Sequence, residues 1–149
     1  MIENGRQPGS GPELRRITDP AEIATIFGLA DERLEDQVSM DRGEWVQYLQ
    51  NQMHKEGWAC MYGLIENGRV KKYMVAVNAV SPPISRAVLI LYQNFFKDHE
   101  NGKIALEKIK TWARQKGAQK IAIHTLYPRI NKEFGFIKEP GENMYIPLD

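Results

Sequence analysis

The sequence predicts an α+β domain in three layers: a mixed, mostly antiparallel central sheet flanked by helices. Three observations carry that expectation. An apolar stretch, 58–66, meets an alternating stretch, 69–80, across Asn67-Gly68, a strong two-residue hairpin signal. A further apolar run, 84–96, follows the Ser81-Pro82-Pro83 break, so three antiparallel strands come in a row. Then Asn101–Thr125, NGKIALEKIKTWARQKGAQKIAIHT, reads as an amphipathic helix, a glycine exit and a buried strand, with Gly135-Phe136 ten residues further on.

The chain has 149 residues, enough for one domain with a continuous core and no help from metal or disulfide. Residues 1–12, MIENGRQPGSGP, are expected to be a flexible tail, and 13–149 a single domain. Hydrophobic residues make up 42% and charged residues 26%, the composition of a soluble globular protein. A net charge of +1 supplies no global field for nucleic acid or an anionic membrane. Cys60 is the sole cysteine, which excludes an intrachain disulfide and a multi-cysteine zinc site. It lies in an apolar run with no adjoining histidine, so it reads as a buried, inert thiol. No apolar run is long enough to cross a membrane, and the N-terminus lacks the apolar centre of a signal peptide. A cytoplasmic location follows as the expectation.

The elements follow in order. Glu13–Thr18 is a short strand candidate. Asp19-Pro20-Ala21-Glu22 gives a cap, a proline at the first helical position and a capping-box acid, and Ile23, Ile26, Phe27 and Ala30 share a helical face. Residues 31–40 read as an irregular connection. Asp41-Arg42-Gly43-Glu44 repeats the cap-and-acid pattern before a Trp45, Leu49, Met53 stripe, with Gly57 as the stop, so a helix runs from 42 to 56. Within 69–80, Tyr73, Val75 and Val77 face one way and Met74 and Ala76 the other. Ala87–Leu91 is apolar on both faces, which predicts a central strand. Asn101 is expected to cap the next helix, whose Ala105, Leu106, Ile109, Trp112 and Ala113 share a face. Burying that stripe is worth roughly 6–10 kcal/mol before entropy is subtracted. Gly117 ends the helix, 119–125 is a strand, and Pro128 begins a short helix through Phe134. Residues 135–138 and 143–148 read as a final hairpin around Pro140-Gly141.

Strand, two helices, three antiparallel strands, helix, strand, short helix, strand resembles the GCN5-related N-acetyltransferase fold over roughly residues 13–148. The sharpest pieces are TWARQKGAQKIAIHT and INKEFGFIKEPGENMYIPL, which look like that family's post-helix strand and its terminal Gly-Phe region. The resemblance implies a V-shaped cleft between the fourth and fifth strands, acetyl-coenzyme A as the acyl donor, and a diphosphate held on backbone amides at a helix start. Unpaired N–H donors and the positive end of the helix dipole favour an anion there. The family signature is Gln or Arg, two residues, Gly, one residue, then Gly or Ala. Aligned backward from Trp112, this chain presents Lys97-Asp98-His99-Glu100-Asn101-Gly102. Gly102 matches and Lys97 stands at the first position, but Glu100 replaces the first glycine. A like-charge pair at about 5 Å costs roughly 3 kcal/mol before screening. Lys97 and Lys103 offset part of that.

The implied cofactor-binding residues are Tyr92, Gln93, Asn94, Lys97, His99, Asn101, Gly102, Lys103 and Asn131. Tyr92, Gln93 and Asn94 sit where the fourth strand should bulge and offer backbone to the pantetheine arm. Acyl transfer to an amine needs the neutral amine, which costs a lysine-like group roughly 4–5 kcal/mol at pH 7, so the family supplies a base and an oxyanion-stabilising amide. Asn131 stands where the family often has a tyrosine acid. Tyr127, one helical turn earlier, and His124, at a strand end and with a suitable pKa class, are the candidate catalytic residues. Each also has a purely structural reading, as does His99 as a solvated side chain. Trp45 and Trp58 read as packing anchors near the acceptor side. Glu66, Lys71 and Lys72 read as solvated turn and strand-face residues.

The function expected is N-acyl transfer from acyl-coenzyme A to a primary amine, on a small molecule or a protein, by direct attack. The alternative is a noncatalytic or repurposed protein of the same fold, of the kind found among compact divergent members, viral ones included. It is favoured by Glu100 in the phosphate loop and Asn131 for tyrosine. A third idea, a relative that modifies nucleic-acid bases, predicts a basic cleft mouth, whereas the basic residues look dispersed and a nucleic-acid partner is not expected. His54, His99 and His124 lack metal-ligand spacing, and there is no GxSxG, P-loop or GxGxxG. The chain is expected to be a monomer or a homodimer, because strands of the terminal hairpin could pair between copies.

Overall fold

The computed structural model describes residues 11–26, 41–54, 57–79, 86–95, 97–123, 128–139, 141, 144 and 146–148. Five strands, β1 (Glu13–Arg16), β2 (Ala59–Glu66), β3 (Arg69–Ala79), β4 (Ala87–Gln93) and β5 (Lys120–Ile123), form one sheet in chain order. Every pair is antiparallel except β4 with β5, which run parallel. The helices among the described residues are α1 (Pro20–Ile23), α2 (Arg42–His54), α3 (His99–Gln115) and α4 (Pro128–Lys132).

Local chemistry explains most of these boundaries. Asp19 caps α1, its side chain accepting from the Ala21 amide at 2.9 Å with Pro20 behind it. Arg15 on β1 makes a forked ion pair with Glu22 of α1, tying the first helix to the sheet edge. Asp41 and Glu44 form a reciprocal capping box: Glu44 N to Asp41 Oδ1 is 2.8 Å, and Asp41 N to Glu44 Oε1 is 3.1 Å. Asn67 and Gly68 both take positive φ, 53° and 76°, as a tight hairpin turn requires. At the end of α3, Gly117 has φ 81°, and the Ala118 amide returns to the Ala113 carbonyl at 3.1 Å, closing the helix in the manner of a left-handed cap.

The sheet separates two apolar layers. On one face α3 lays Ala105, Leu106, Ile109, Trp112 and Ala113 against Cys60, Met74, Ala76, Val88 and Ile90, joined by Phe95 and Phe134. On the other face α1 and α2 set Ile23, Trp45 and Leu49 against Met61, Tyr73, Val75 and Tyr92. The alternation expected along 69–80 is therefore realised, with β3 feeding both layers. β4 lies inside the sheet, as its two-faced apolar run predicts.

Four expectations need correction. The helix expected to start at Asn101 starts at His99 with Asp98 as its cap, because the Asp98 carboxylate reaches the Asn101 amide. Trp58 is not a packing anchor: it is 41% exposed, whereas Trp45 is buried. Lys72 is not merely a solvated strand-face residue, since its Nζ lies 3.7 Å from Asp98 Oδ2. The final hairpin is not seen among the described residues: none after Lys132 lies in a strand, 135–138 included, while 140, 143 and 145 of the expected hairpin lie outside them. Of that segment's described side chains, Ile137, Met144, Ile146 and Leu148 stand in solvent.

Candidate functional site at the end of the parallel strand pair

The site grows from the one parallel strand pair among the described residues. β4 and β5 pair from Ala87 with Lys120 through Ile90 with Ile123. The β3–β4 register shifts just beyond, Val75 facing Tyr92 while Ala76 faces Ile90, which leaves Leu91 as the extra residue of a bulge. The bulge thus falls one residue before the expected 92–94. β4 runs on to Gln93, where its neighbour is α4: Gln93 Nε2 donates to Asn131 Oδ1 at 3.0 Å, and both side chains are buried.

The start of α3 lies beside this point. Asp98 accepts from the Asn101 amide at 3.3 Å and from Asn101 Nδ2 at 2.8 Å. Burial alone would raise the Asp98 carboxyl; the Asn101 hydrogen bonds and nearby Lys72 outweigh it and hold the group below its usual range. Gly102 is pressed into protein: a Cβ built there would meet two ring atoms of Phe134 at 2.8 Å and Phe95 Cβ at 2.9 Å. Glycine is needed here for an aromatic ring to approach. Phe134 in turn meets His99 edge-on at 5.6 Å, and His99 Nδ1 lies 3.7 Å from Glu133 Oε1.

What remains for an anion is narrower than a glycine-rich loop offers. The amides of His99 and Glu100 belong to the first turn, whose N–H groups have no intrahelical acceptor. Lys97 and Lys103 are exposed beside them, and so is Glu100, whose charge points into solvent. Asn101 is half-buried and committed to Asp98. Asp98 already occupies the third donor, the Asn101 amide.

Tyr92 and Asn94 are integrated into the fold. Asn94 Oδ1 accepts from the Tyr73 amide at 2.8 Å, and the Asn94 amide donates to the Tyr73 carbonyl at 3.3 Å, so that amide is not available to a pantetheine arm. The Tyr92 ring packs 4.9 Å from Tyr73 and 6.2 Å from Trp45, whose Nε1 donates to Tyr73 Oη at 2.6 Å. This aromatic group lies on the sheet face opposite α3. Gln93 points the other way and also receives the Phe95 amide at 2.9 Å. His124 and Tyr127 lie outside the described residues.

A second concavity borders the first. An open groove of about 1400 Å³ runs along β5, with Leu106 and Ala113 of α3 on one side and residues 132–139 on the other. Among the described residues, no group of histidine, cysteine and carboxylate side chains is arranged to hold a metal, and no helix is long and apolar enough to cross a membrane.

Solved structures place this architecture. Aminoglycoside N-acetyltransferase AAC(6')-Iy in complex with CoA superposes with a TM-score of 0.67 at 12% identity, covering 99% of each chain. An aminoglycoside acetyltransferase from an uncultured soil metagenomic sample, in complex with sisomicin, has a TM-score of 0.66 at 10% identity over 93% of this chain and 97% of that one. A predicted acetyltransferase from Clostridium acetobutylicum, with acetyl-CoA, has a TM-score of 0.61 at 15% identity over 93% and 96%. The chain has the GCN5-related N-acetyltransferase fold. No protein-family model and no curated protein matches the sequence.

Within this fold the structure sets His99 and Gly102 against Phe134, whose amide donates to the Asn131 carbonyl, pairs Asn131 with Gln93, and holds Asn101 on Asp98. It leaves Lys97 and Lys103 at the rim and turns Tyr92 to the opposite face. Sequence reasoning missed Asp98 and Phe134. Asp98 was detectable, since aspartate is as good a cap as asparagine and stands three residues before the amide it binds. Phe134 carries no such signal: only the tertiary fold shows which glycine its ring covers.

Proposed function

We propose that this chain is an acyl-coenzyme A-dependent N-acyltransferase that moves an acetyl group to the primary amine of a small molecule. The observation that carries the reading is the Leu91 bulge of β4 beside the start of a 17-residue helix. A bulged strand next to a helix N-terminus presents amides and an anion-favouring dipole together. Similar structures hold CoA, acetyl-CoA or an aminoglycoside, which supports a thioester donor and a small amine acceptor. The bound thioester supplies the activated acyl group. The amides of His99 and Glu100, with Lys97 and Lys103, hold the diphosphate; His124 takes the proton from the acceptor ammonium, and Tyr127 is the acid for the departing thiolate. The compartment consistent with such a donor is the cytoplasm.

A noncatalytic reading has its own observation. The buried side chains of Gln93 and Asn131 are already hydrogen-bonded to each other, and Asp98 satisfies part of the helix start. Calorimetric titration with acetyl-CoA separates the two. Heat of binding together with release of free thiol in the presence of an amine supports the enzyme; no heat and no thermal shift at millimolar ligand leaves the noncatalytic protein. Replacing Glu100 with glycine removes an exposed negative charge from the phosphate site. If the enzyme reading holds, acetyl-CoA affinity rises by roughly two- to fivefold.

A further inference from the structure

The fold gathers charges that look dispersed along the sequence. Lys110 and Arg114 of α3, Lys120 of β5, Arg129 and Lys132 of α4, and Lys138 line the β5 groove against the single carboxylate of Glu139. Glu139 is paired with Lys120, and Lys110 with Glu107. Arg114, Arg129, Lys132 and Lys138 are exposed, and among the described residues they form no ion pair. The cationic track begins at the candidate phosphate site. Lys103, Lys110 and Arg114 all belong to α3; their spacing puts them within about 40° of one another around the helix and spreads them over about 16 Å along it.

The groove has the character of a protein-docking face. Its volume of about 1400 Å³ exceeds the roughly 300–1,000 Å³ of a small-molecule pocket. Its floor, Leu106, Ala113, Ile121 and Ile123, is aliphatic. Nucleic-acid bases stack on aromatic rings, but Phe134 is held against Gly102 and Phe136 packs on the core. A cationic rim around an aliphatic floor complements an acidic protein surface with apolar side chains at its centre. The groove also reaches the candidate site, because Asn131 and Phe134 belong to its lining.

The start of α3 constrains the donor as well. Asp98 holds the Asn101 amide, and the Glu100 side chain adds a second negative charge to that turn. A pantetheine thioester exists in two chemical forms. On coenzyme A it follows a diphosphate and a phosphorylated nucleotide; on a carrier protein it follows one phosphodiester to a serine. The phosphodiester bears a single charge, so Asp98 and Glu100 repel it less than they repel a diphosphate, and it asks for fewer N–H donors.

We propose that the preferred acyl donor of this chain is an acidic carrier protein, its phosphodiester at the start of α3 and its acidic face along α3 and the β5 groove. The proposal rests on the acyltransferase reading and names the donor class. The acceptor amine attacks the thioester carbonyl, a C–N bond forms and the C–S bond breaks. The carrier departs with its phosphopantetheine as a free thiol, which takes up the proton that the amine loses.

Calorimetric titration of the full chain at low salt tests this with two probes, acetyl-CoA and a fatty-acid-type acyl carrier protein loaded with acetyl-phosphopantetheine. The loaded carrier should bind at least tenfold more tightly, and most of that advantage should vanish at half-molar salt. Arg114→Glu with Lys132→Glu should weaken the carrier at least tenfold, leave acetyl-CoA within twofold, and keep the circular dichroism spectrum. Arg129→Glu with Lys138→Glu repeats the measurement with two other groove cations. Carrier binding no tighter than acetyl-CoA, or an advantage untouched by salt or by charge reversal, overturns the proposal. So does charge reversal that weakens both donors alike, or a deoxythymidine oligonucleotide that binds more tightly than the carrier. Acetyl-CoA binding without carrier binding removes this proposal alone and leaves the acyltransferase reading standing; binding of neither removes both.

Discussion

The carboxylate of Asp98 does at the start of α3 what a bound anion would do. It accepts the Asn101 amide and side chain and stands near Lys72, so it stabilises the helix while competing with any external phosphate. Asp98→Ala should therefore act with opposite signs on two measurements. Stability at pH 7 falls by about 1 kcal/mol in urea unfolding, the usual loss for a cap, while affinity for acetyl-CoA or pyrophosphate rises. The pH dependence has a definite sign. A carboxyl depressed in the folded state contributes above its unfolded pKa near 3.9 and loses that contribution as pH falls through its folded value. The gap between wild type and variant should close below about pH 4. Cys60 is the contrasting residue: burial pushes its thiol up to about 11, with Arg16 opposing weakly. A disulfide reagent at pH 8 should find no reactive thiol in the folded chain and one after denaturation. Rapid native labelling would refute the inert role.

At the scale of elements, Gly102 joins α3 to α4. An alanine there places a methyl within 2.8 Å of Phe134 and 2.9 Å of Phe95 Cβ; the ring can swing but the Cβ of Phe95 cannot move without its backbone. Gly102→Ala should lower stability by about 1–3 kcal/mol, the range for overpacking. Pairing it with Phe134→Leu should recover part of that loss, as thermal melts would report. The glycine was legible in the sequence as a family landmark, but that the Phe134 ring packs against it is visible only in the fold. The general pattern explains the split. Elements announced by period and caps, such as Trp45-Leu49-Met53 or Asn67-Gly68, emerge where expected, because their determinants lie within a few residues. The described residues 135–138 did not form the strand expected of the terminal hairpin, since such a strand needs a partner edge that local sequence cannot specify. Asn131 was read as a missing acid; its actual work, accepting from Gln93 across 38 positions, is a tertiary fact.

For the whole molecule the question is whether two apolar layers make one cooperative unit. Trp112 is buried with α3 on one face of the sheet and Trp45 with α2 on the other. Among the described residues, no helix contributes to both layers, whereas the sheet contributes to each. β3 supplies Met74 and Ala76 to the first layer and Tyr73 and Val75 to the second, and β4 gives Val88 and Ile90 to the first and, past the Leu91 bulge, Tyr92 to the second. A strand cannot leave one layer while holding the other, because its side chains alternate along a single backbone. Losing either layer therefore exposes β3 and removes the support of its neighbours. Two variants read this directly: Trp45→Phe leaves Trp112 as the buried fluorophore, and Trp112→Phe leaves Trp45. Half-exposed Trp58 contributes a similar background to both. Within each variant, fluorescence and far-ultraviolet circular dichroism should give the same urea midpoint, as a two-state domain requires. If fluorescence instead precedes loss of circular dichroism in one variant alone, that layer opens separately. The sheet would then be a shared wall between two loosely coupled cores, and ligand binding on one face could not be transmitted to the other through β3 and β4.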